Sequence, residues 1–210
     1  MRDYKVIEKV PTNYYQSGIE NNLLQKFWHT RKLNEVLNIT NNSNNLEKIL
    51  DVGCASGWFI SQVNKKYHKA SCFGIDIYDA AILYARKNYP KINFKVADAN
   101  KIPYKEKTFD LVICTEVLEH VDNPKEVLLE IKRVLKKRGV TVIELDSGSM
   151  LFSIAWFIWR QFKGKIWNDA HLHSFNVKKL ETLIKSCDFK IVKSKKFNFG
   201  MAMIFYCVKK

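Results

Sequence analysis

Three aspartates, Asp51, Asp76 and Asp98, each lie at or near the end of an apolar run, and a loop of small residues follows the first. A carboxylate at the end of a strand can accept both hydroxyls of a ribose, which suits Asp76. Asp98 could accept from an adenine amino group. The loop, with Gly53 and Gly57, leads into a predicted helix N-terminus, whose exposed N–H groups attract negative charge. These residues predict a nucleoside-containing ligand.

The spacing within the loop separates two kinds of nucleotide site. The dinucleotide fingerprint G-x-G-x-x-G is absent, because Ala55 and Trp58 stand where its second and third glycines would be. A pyrophosphate is therefore disfavoured, although Asp76 on its own would also suit NAD. The structural alternative is an ordinary strand–helix turn beside solvated aspartates, which would leave the spacings to coincidence.

Alternating strands and helices must position these residues. Periodicity and turn signals predict strands at 47–53, 71–77, 92–99, 109–117, 140–146, 190–197 and 201–209, and helices at 19–38, 58–67, 79–89, 123–139 and 176–189. This order predicts an α/β, Rossmann-like, doubly wound sheet of seven mostly parallel strands with helices on both faces. A C-terminal hairpin adds an antiparallel strand at one edge. We expect an N-terminal helical cap (1–45) and a main domain (46–210) that carries an apolar insert (148–170).

Four motifs resemble those of class I S-adenosylmethionine-dependent methyltransferases, especially the group with quinone-biosynthesis and other small-molecule enzymes. They are "ILDVGCASG", "FGIDI", "VADANKIPYKEKTFDLVICTEVLEHVDNPKEVLLEIKRVLKKRG" and "VTVIELD". The resemblance is close over residues 47–147. It implies S-adenosylmethionine as the methyl donor and S-adenosylhomocysteine as the product. It is specific for fold and cofactor and says little about the acceptor.

The resemblance also implies roles for individual positions. The methionine half of the cofactor would lie beside the loop residues Asp51, Gly53, Cys54, Ala55 and Gly57. Ribose and adenine would be held by Asp76, Ile77, Asp98 and Ala99, and the backbone of Cys114 would face the methionine amino group. Ala55 departs from the pattern, since the family more often has Gly there. Ala is small, and it is tolerated there if φ is negative.

A sulfonium methyl is already activated, so the enzyme must mainly align the nucleophile, the methyl carbon and the sulfur. An oxygen or carbon acceptor also needs a base, and Glu116, His120 and His171 are the candidate catalytic residues. For His120 the alternative is a structural role before the Asn123 helix cap. His171 and His173 would point the same way from an extended segment. Zinc would need further ligands at suitable spacing, so no metal is predicted.

Residues of the N-terminal region are further candidates. His29 and Arg31 could meet the methionine carboxylate or the acceptor if their helix covers the site, and Tyr14 and Tyr15 are candidate lid residues. Ordinary packing is the alternative for all four.

Composition and net charge limit which binding partners and which cellular compartment are expected. The 210 residues carry a net charge of +14, and the excess of Lys and Arg is concentrated after residue 160. Such a surface attracts nucleic acid, anionic lipid or an anionic substrate, or is simply a solvated lysine-rich face. The five cysteines are an odd number without a C-x-x-C pair, which indicates reduced thiols and a cytoplasmic protein. No apolar run approaches the ~18 residues of a transmembrane helix.

The apolar insert raises the question of the acceptor. From Met150 to Trp159 only Ser153 is polar, and Trp156, Trp167 and basic residues lie nearby. The segment could be a lid, a wall for a lipophilic acceptor, or an anchor on an anionic membrane surface. The first hypothesis is thus a methyltransferase acting on a small, lipophilic or lipid-like acceptor, with possible membrane association. Alternatives are an RNA methyltransferase, for which no added binding module is visible, and a non-catalytic binding subunit.

Overall fold

A computed structural model describes residues 10–41, 43, 45–162 and 171–210. Within these residues, seven strands form one sheet: β1 (Lys48–Val52), β2 (Ser71–Asp76), β3 (Asn93–Val96), β4 (Phe109–Thr115), β5 (Leu135–Asp146), β6 (Phe189–Phe197) and β7 (Ala202–Lys209). The helices of the same residues are α1 (Tyr14–Asn21), α2 (Leu23–Ile39), α3 (Trp58–Lys66), α4 (Asp79–Asn88), α5 (Pro124–Val134), α6 (Met150–Phe162) and α7 (Val177–Ser186).

The strand order is β3-β2-β1-β4-β5-β7-β6, and β1 to β5 are parallel to one another. The order reverses between β1 and β4, which is where open α/β sheets bind ligands. The predicted doubly wound sheet and its C-terminal hairpin are confirmed. The antiparallel strand β7, however, lies between β5 and β6 instead of at the outermost edge. Apolar β7 takes the buried position, and lysine-rich β6 forms the exposed edge, where charge discourages pairing with another chain.

Two apolar cores cover the two faces of the sheet. Successive residues of β1 point to opposite sides, so Ile49 joins one core and Leu50 the other. Helices α2, α3 and α4 contribute to the first core, through residues such as Val36. Helices α5 and α7 contribute to the second, through residues such as Leu128. Layers on both faces fix the sheet and leave its carboxyl edge to form a site.

The N-terminal helix predicted at 19–38 is two helices. Asn22 has an extended backbone (φ −137°, ψ 111°), and its side chain accepts hydrogen bonds from the N–H groups of Leu24 and Gln25. It thereby caps α2 and separates it from α1, which begins at Tyr14, five residues before the predicted start at residue 19. Apolar periodicity alone does not reveal such a break. The proposed boundary at residue 45 stays a prediction.

The helix predicted at 123–139 ends five residues early, at Val134. Leu135 is fully buried and pairs with Phe109, whereas Val140 pairs with Leu111. The four residues between Leu135 and Val140 therefore bulge out of β5, with Arg138 at φ 63°. Burial of a leucine in the sheet outweighs the helical tendency of the lysines that follow it. Asn123 does cap α5, by accepting from Glu126 N–H.

The insert begins as the helix α6, and residues 163–170 of it lie outside the described part of the chain. None of the helices described is both long and apolar enough to cross a membrane.

Candidate active site

The loop after β1 is tied to the end of β2. The N–H groups of Gly53 and Cys54 both donate to the carbonyl of Ile75, at 2.8 and 2.9 Å. Gly53 and Gly57 have φ of 74° and 83°, in the left-handed region that favours glycine. A Cβ at Gly53 would also collide with the Val117 side chain. The loop is thus a compact turn at the carboxyl edge, where the sequence places it.

Ala55 occupies the same left-handed region, with φ 45°. The condition under which Ala would be unstrained, a negative φ, is therefore not met. From this backbone the Ala55 N–H donates to Asp76 Oδ2 at 2.8 Å. A left-handed non-glycine residue costs about 1–2 kcal/mol. The glycine that the family more often has would avoid this cost.

Asp76 joins the loop to the end of β2. Its Oδ2 accepts from Ala55 N–H and its Oδ1 from Tyr78 N–H at 2.9 Å. Burial raises the pKa of Asp76, and hydrogen bonds from the backbone of Tyr78, Ala55 and Ile77 oppose that rise. The side chain stays partly accessible and keeps acceptor capacity, because a carboxylate offers about four lone-pair sites. It is placed as a ribose-binding acid would be, at a strand end beside the loop.

The remaining predicted cofactor residues lie along the same edge. Asp98 is exposed just beyond β3 and accepts from the backbone and side-chain N–H groups of Asn100. Ile77 and Ala99 are half-buried. Cys114 is buried in β4. The structure therefore brings the loop, Asp76 and Cys114 to adjacent strand ends, with Asp98 on the outer side beyond β2.

Lys32 of α2 lies among the candidate site residues, although its sequence motif did not mark it as one. Its side chain is only 5% exposed, and its Nζ lies 3.0 Å from Glu116 Oε2. Burial lowers its pKa, but the carboxylates of Glu116, Glu144 and Asp51 outweigh burial and raise it. Lys32 precedes the buried Val36 by four residues, so both lie on one face of the helix. That spacing was the signal that could have identified it.

Glu116 follows β4 with φ 54° and links the strand end to α2. Its Oε1 accepts from Trp28 Nε1 at 3.0 Å, and its Oε2 pairs with Lys32. Burial opposes ionisation, yet Lys32 and His29 lower the pKa of Glu116 to about 2. A carboxylate of such low pKa takes up a proton poorly at neutral pH. The structure thus shows Glu116 in an ion pair, and its role as base stays a prediction.

Two further carboxyls lie beneath Lys32. Burial raises the pKa of Asp51 and of Glu144 to about 8 each, with Lys32 opposing. Glu144 is fully buried, and neither of its side-chain oxygens has a hydrogen-bond partner among the described residues. Burial, with Lys32, also lowers the pKa of His29 to about 4, so that ring is neutral at pH 7. At pH 7 these two carboxyls are therefore mainly protonated, and a cationic ligand bound beside them would favour their ionised forms.

The other two predicted catalytic residues, His120 and His171, are 51 positions apart in the sequence but lie together in the fold. Their ring centroids are 4.9 Å apart, and His171 also stacks on Trp156 at 4.9 Å. His171 Nδ1 lies 3.8 Å from Asp146 Oδ2, at the end of β5. The carbonyl of Glu119 accepts from Leu172 N–H at 2.7 Å, which fastens the segment after the insert to the turn after β4.

The fold brings together possible ligand atoms that sequence spacing does not, although the prediction of no metal at His171 and His173 stays a prediction. Glu119, His120 and His171 each place one possible ligand atom within 4.8 Å of the other two. His173 is not part of this group, since its Nε2 contacts the Val121 carbonyl at 3.0 Å. Sequence spacing could not show the group, because the chain between its members includes α5, β5 and α6.

The other N-terminal candidates have different surroundings. The Arg31 guanidinium lies 5.7 Å from the Phe27 ring on the outer side of α2. Tyr14 accepts from Gln25 Nε2 at 3.0 Å. The side chain of Tyr15 lies outside the described residues. Of this set, His29 is the one that reaches the charged cluster, through its electrostatic interaction with Glu116.

Comparison with known proteins identifies the family and the fold. A methyltransferase-domain family model matches residues 50–143. A ubiquinone biosynthesis O-methyltransferase of Rickettsia prowazekii is 30% identical over 151 residues, which is 68% of this chain and 58% of the relative. The chain thus spans less than two thirds of that protein.

Two solved structures share the whole fold. One is a methyltransferase of Thermotoga maritima described as a possible histamine N-methyltransferase, with a TM-score of 0.75, 18% identity and 99% coverage of both chains. The other is magnesium protoporphyrin IX methyltransferase of Synechocystis with bound S-adenosylhomocysteine, with a TM-score of 0.75, 17% identity and coverage of 99% of this chain and 100% of the other. Taken with the motifs, the match to the methyltransferase-domain model and the similarity to the Rickettsia O-methyltransferase show that the chain belongs to the class I S-adenosylmethionine-dependent methyltransferases, whose fold the two structures share.

Proposed function

We propose that this protein binds S-adenosylmethionine at the carboxyl ends of β1, β2 and β4 and transfers its methyl group to a hydroxyl of a small, lipophilic acceptor. The observation that carries the proposal is the junction of the loop with Asp76. One carboxylate there is held by backbone N–H groups beside a turn that contains three left-handed residues. The acidic cluster around Lys32 supports it, because both the sulfonium and the ammonium of the donor are cations.

Different residues of this chain would bind different parts of the methyl donor. Asp76 would accept the ribose hydroxyls, and Asp98 would accept from the adenine amino group. The buried carboxyls of Asp51 and Glu144 would favour the positive end of the donor, and Lys32 would face its carboxylate. S-adenosylmethionine supplies an activated methyl group. As the acceptor oxygen bonds to the methyl carbon, the carbon–sulfur bond breaks, S-adenosylhomocysteine leaves, and the hydroxyl proton must pass to a base or to water.

The aromatic residues between α2 and α6 support an acceptor with an apolar ring. Trp28 lies 6.5 Å from Phe152, which stacks on Trp156 at 5.7 Å, and Trp156 stacks on His171. An aromatic wall thus runs from the Glu116 ion pair to the two histidines. Such walls bury flat apolar ligands well. The O-methyltransferase relative favours oxygen as the accepting atom.

An exposed apolar patch lies beside this wall and supports membrane association. We assign to it the exposed apolar side chains of α2, of α6 and of the β6–β7 turn, which are Leu23, Leu24, Phe27, Met150, Leu151, Ile154, Phe157, Ile158 and Phe199. Phe199, 81% exposed at the β6–β7 turn, stacks on Phe27 at 6.3 Å, so separate parts of the chain share one surface. Exposed Lys26, Arg31 and Lys196 lie close in sequence to its members. Apolar residues flanked by basic ones suit the surface of an anionic bilayer, from which a lipophilic acceptor could enter.

Titration with S-adenosylhomocysteine by calorimetry tests the cofactor site. Asp76→Asn keeps the size of the side chain and removes its charge, so we expect affinity to fall about 10- to 100-fold, the value of charge-assisted hydrogen bonds. Asp79→Asn, an exposed aspartate three residues on, is the matched control and should bind as the unaltered protein does. Equal affinity in Asp76→Asn, with an unchanged melting temperature, would reject the site assignment.

A labelled-methyl assay tests the acceptor. The protein is incubated with labelled S-adenosylmethionine and, separately, with a lipid extract and with total RNA. Label in a lipid-soluble product supports the proposal. Label in RNA would replace it with the RNA methyltransferase alternative, and label in neither would count against a lipophilic acceptor.

A further inference from the structure

Glu144 of β5 is a buried carboxyl whose polar atoms the protein leaves unsatisfied. The residue is fully buried, and neither of its side-chain oxygens has a hydrogen-bond partner among the described residues. Its backbone pairs with Thr115 of β4 on one side and with Ile204 of β7 on the other. Its side chain lies on the face that α2 covers, because Val142, two positions earlier, belongs to the core shared with α2. Packing alone would favour an apolar residue at this position.

The charged groups around Glu144 are mostly acidic. They come from each neighbouring element: Lys32 from α2, Asp51 from β1, Glu116 and Glu119 from the turn after β4, and Asp146 from the end of β5. The one lysine among these already pairs with Glu116 at 3.0 Å. His29 is neutral at pH 7, because its pKa is lowered to about 4, and the Cys114 thiol of β4 is uncharged, because burial raises its pKa. From β7 the facing residue is the apolar Ile204.

At pH 7 the Glu144 carboxyl is mainly protonated. Burial raises its pKa to about 8 against the opposing effect of Lys32, and Glu116 and Asp146 add to the rise. A further positive charge nearby would favour the ionised form and expel the proton. The donor of the proposed function brings such a charge, since its sulfonium sulfur is cationic, whereas the sulfur of S-adenosylhomocysteine is neutral. The methionine half of that donor is expected beside Asp51, which shares Lys32 with Glu144.

We propose that Glu144 determines selectivity for the charged methyl donor over its product, by releasing a proton when S-adenosylmethionine binds and taking one up once the sulfonium charge is gone. This role rests on the proposed function, because it needs the donor beside β1 and β4. On binding, the proton leaves to solvent. During transfer the acceptor hydroxyl loses one proton and Glu144 gains one, so that sulfonium, carboxylate and hydroxyl become thioether, carboxylic acid and ether. The product then lies beside a neutral carboxyl, which favours its exchange for a new donor.

Calorimetric titration at pH 7 with S-adenosylmethionine and, separately, with S-adenosylhomocysteine tests this role. Each titration is repeated in phosphate and in Tris, whose different heats of protonation give the number of protons released. A pKa that falls from about 8 to about 7 on binding releases about 0.4 proton per molecule bound at pH 7. We expect a release of this order with S-adenosylmethionine and a smaller one with S-adenosylhomocysteine. Both titrations use the unaltered protein, so the comparison does not depend on the folding of a variant.

Glu144→Gln isolates the residue, because glutamine has the shape of the protonated carboxyl and cannot ionise. It should abolish the difference in proton release between the two ligands. It should also reduce the preference for S-adenosylmethionine over S-adenosylhomocysteine about 5-fold at pH 8. Glu126→Gln, which alters an exposed glutamate of α5, is the matched control and should leave both quantities unchanged. Melting temperatures establish that each variant is folded.

Two results would overturn the role of Glu144 alone: equal proton release with the two ligands in the unaltered protein, or an unchanged difference in folded Glu144→Gln. In both cases the ligands still bind, so the proposed function stands. Where Glu144→Gln fails to fold, the comparison of the two ligands on the unaltered protein decides. Absence of binding of both ligands would overturn the proposed function and the role of Glu144 with it.

Discussion

Replacing Lys32 with methionine tests the charged cluster that joins α2 to the strand ends. The substitution keeps the length of the side chain and removes its charge, leaving Glu116 without its ion-pair partner. Removing one member of a buried pair costs about 3–5 kcal/mol. Because the Glu116 side chain retains 26% exposure, water can compensate in part, and we expect a loss of about 2–3 kcal/mol in the free energy of unfolding at pH 7. For a chain of this size that corresponds to a melting temperature lower by about 4–12 °C.

The reverse substitution, Glu116→Gln, should cost less, about 1 kcal/mol. Lys32 also interacts with Asp51 and Glu144, whose pKa values of about 8 allow either to ionise in place of Glu116. Lys195→Met is the matched control, since Lys195 forms an ion pair with Glu35 at the surface and should cost under about 1 kcal/mol.

Urea unfolding at pH 7 and pH 4 measures these differences. The pKa of Glu116 is lowered by folding, so its stabilising contribution is complete above about pH 4.5 and is lost as the pH falls towards 2. In Lys32→Met, protonation of Glu116 should relieve the unpaired charge, so the deficit of the variant should shrink at pH 4. A loss below 1 kcal/mol at pH 7, or an equal loss in Glu116→Gln, would refute the picture of one lysine shared by three carboxyls.

Three further substitutions test separate features. Ala55→Gly should raise the free energy of unfolding by about 0.5–1 kcal/mol in urea titrations, because it relieves a left-handed backbone. Ala80→Gly in α4 is the control and should lower the free energy of unfolding by a similar amount. Destabilisation by Ala55→Gly would contradict the inference that the backbone is strained at Ala55. Glu144 has its pKa raised by folding, so its contribution is complete below about pH 4.5 and is lost as the pH rises through 8. Glu144→Gln should therefore flatten the fall in stability between pH 5 and 9, and an unchanged slope would argue against a protonated Glu144. Phe199→Ser should reduce flotation with anionic vesicles about 10-fold, and equal loss in Leu83→Ser, exposed on α4 outside the patch, would show that the patch is not specific.

The sequence by itself determined the fold and the position of the cofactor loop. Strand–helix alternation predicts a parallel sheet, and the ends of parallel strands meet at one edge, so Asp51, Asp76 and Asp98 could be assigned to that edge without coordinates. Each of these signals is local: an apolar run, a small-residue turn, and an acid where the run ends. The family resemblance was local too, since its closest part is one continuous stretch.

Only the tertiary structure decided which charged groups interact with one another. In the sequence Lys32 looks like any lysine of a surface helix. Its carboxylate partners are 19 to 112 residues away along the chain, and only the fold brings them near it. The proximity of Glu119 and His120 to His171 likewise depends on backbone hydrogen bonds that join the turn after β4 to the segment after the insert. The left-handed φ of Ala55 belongs to the folded loop, in which its N–H donates to Asp76. Burial and electrostatic energy depend on distance in space, whereas propensity and periodicity depend on distance along the chain.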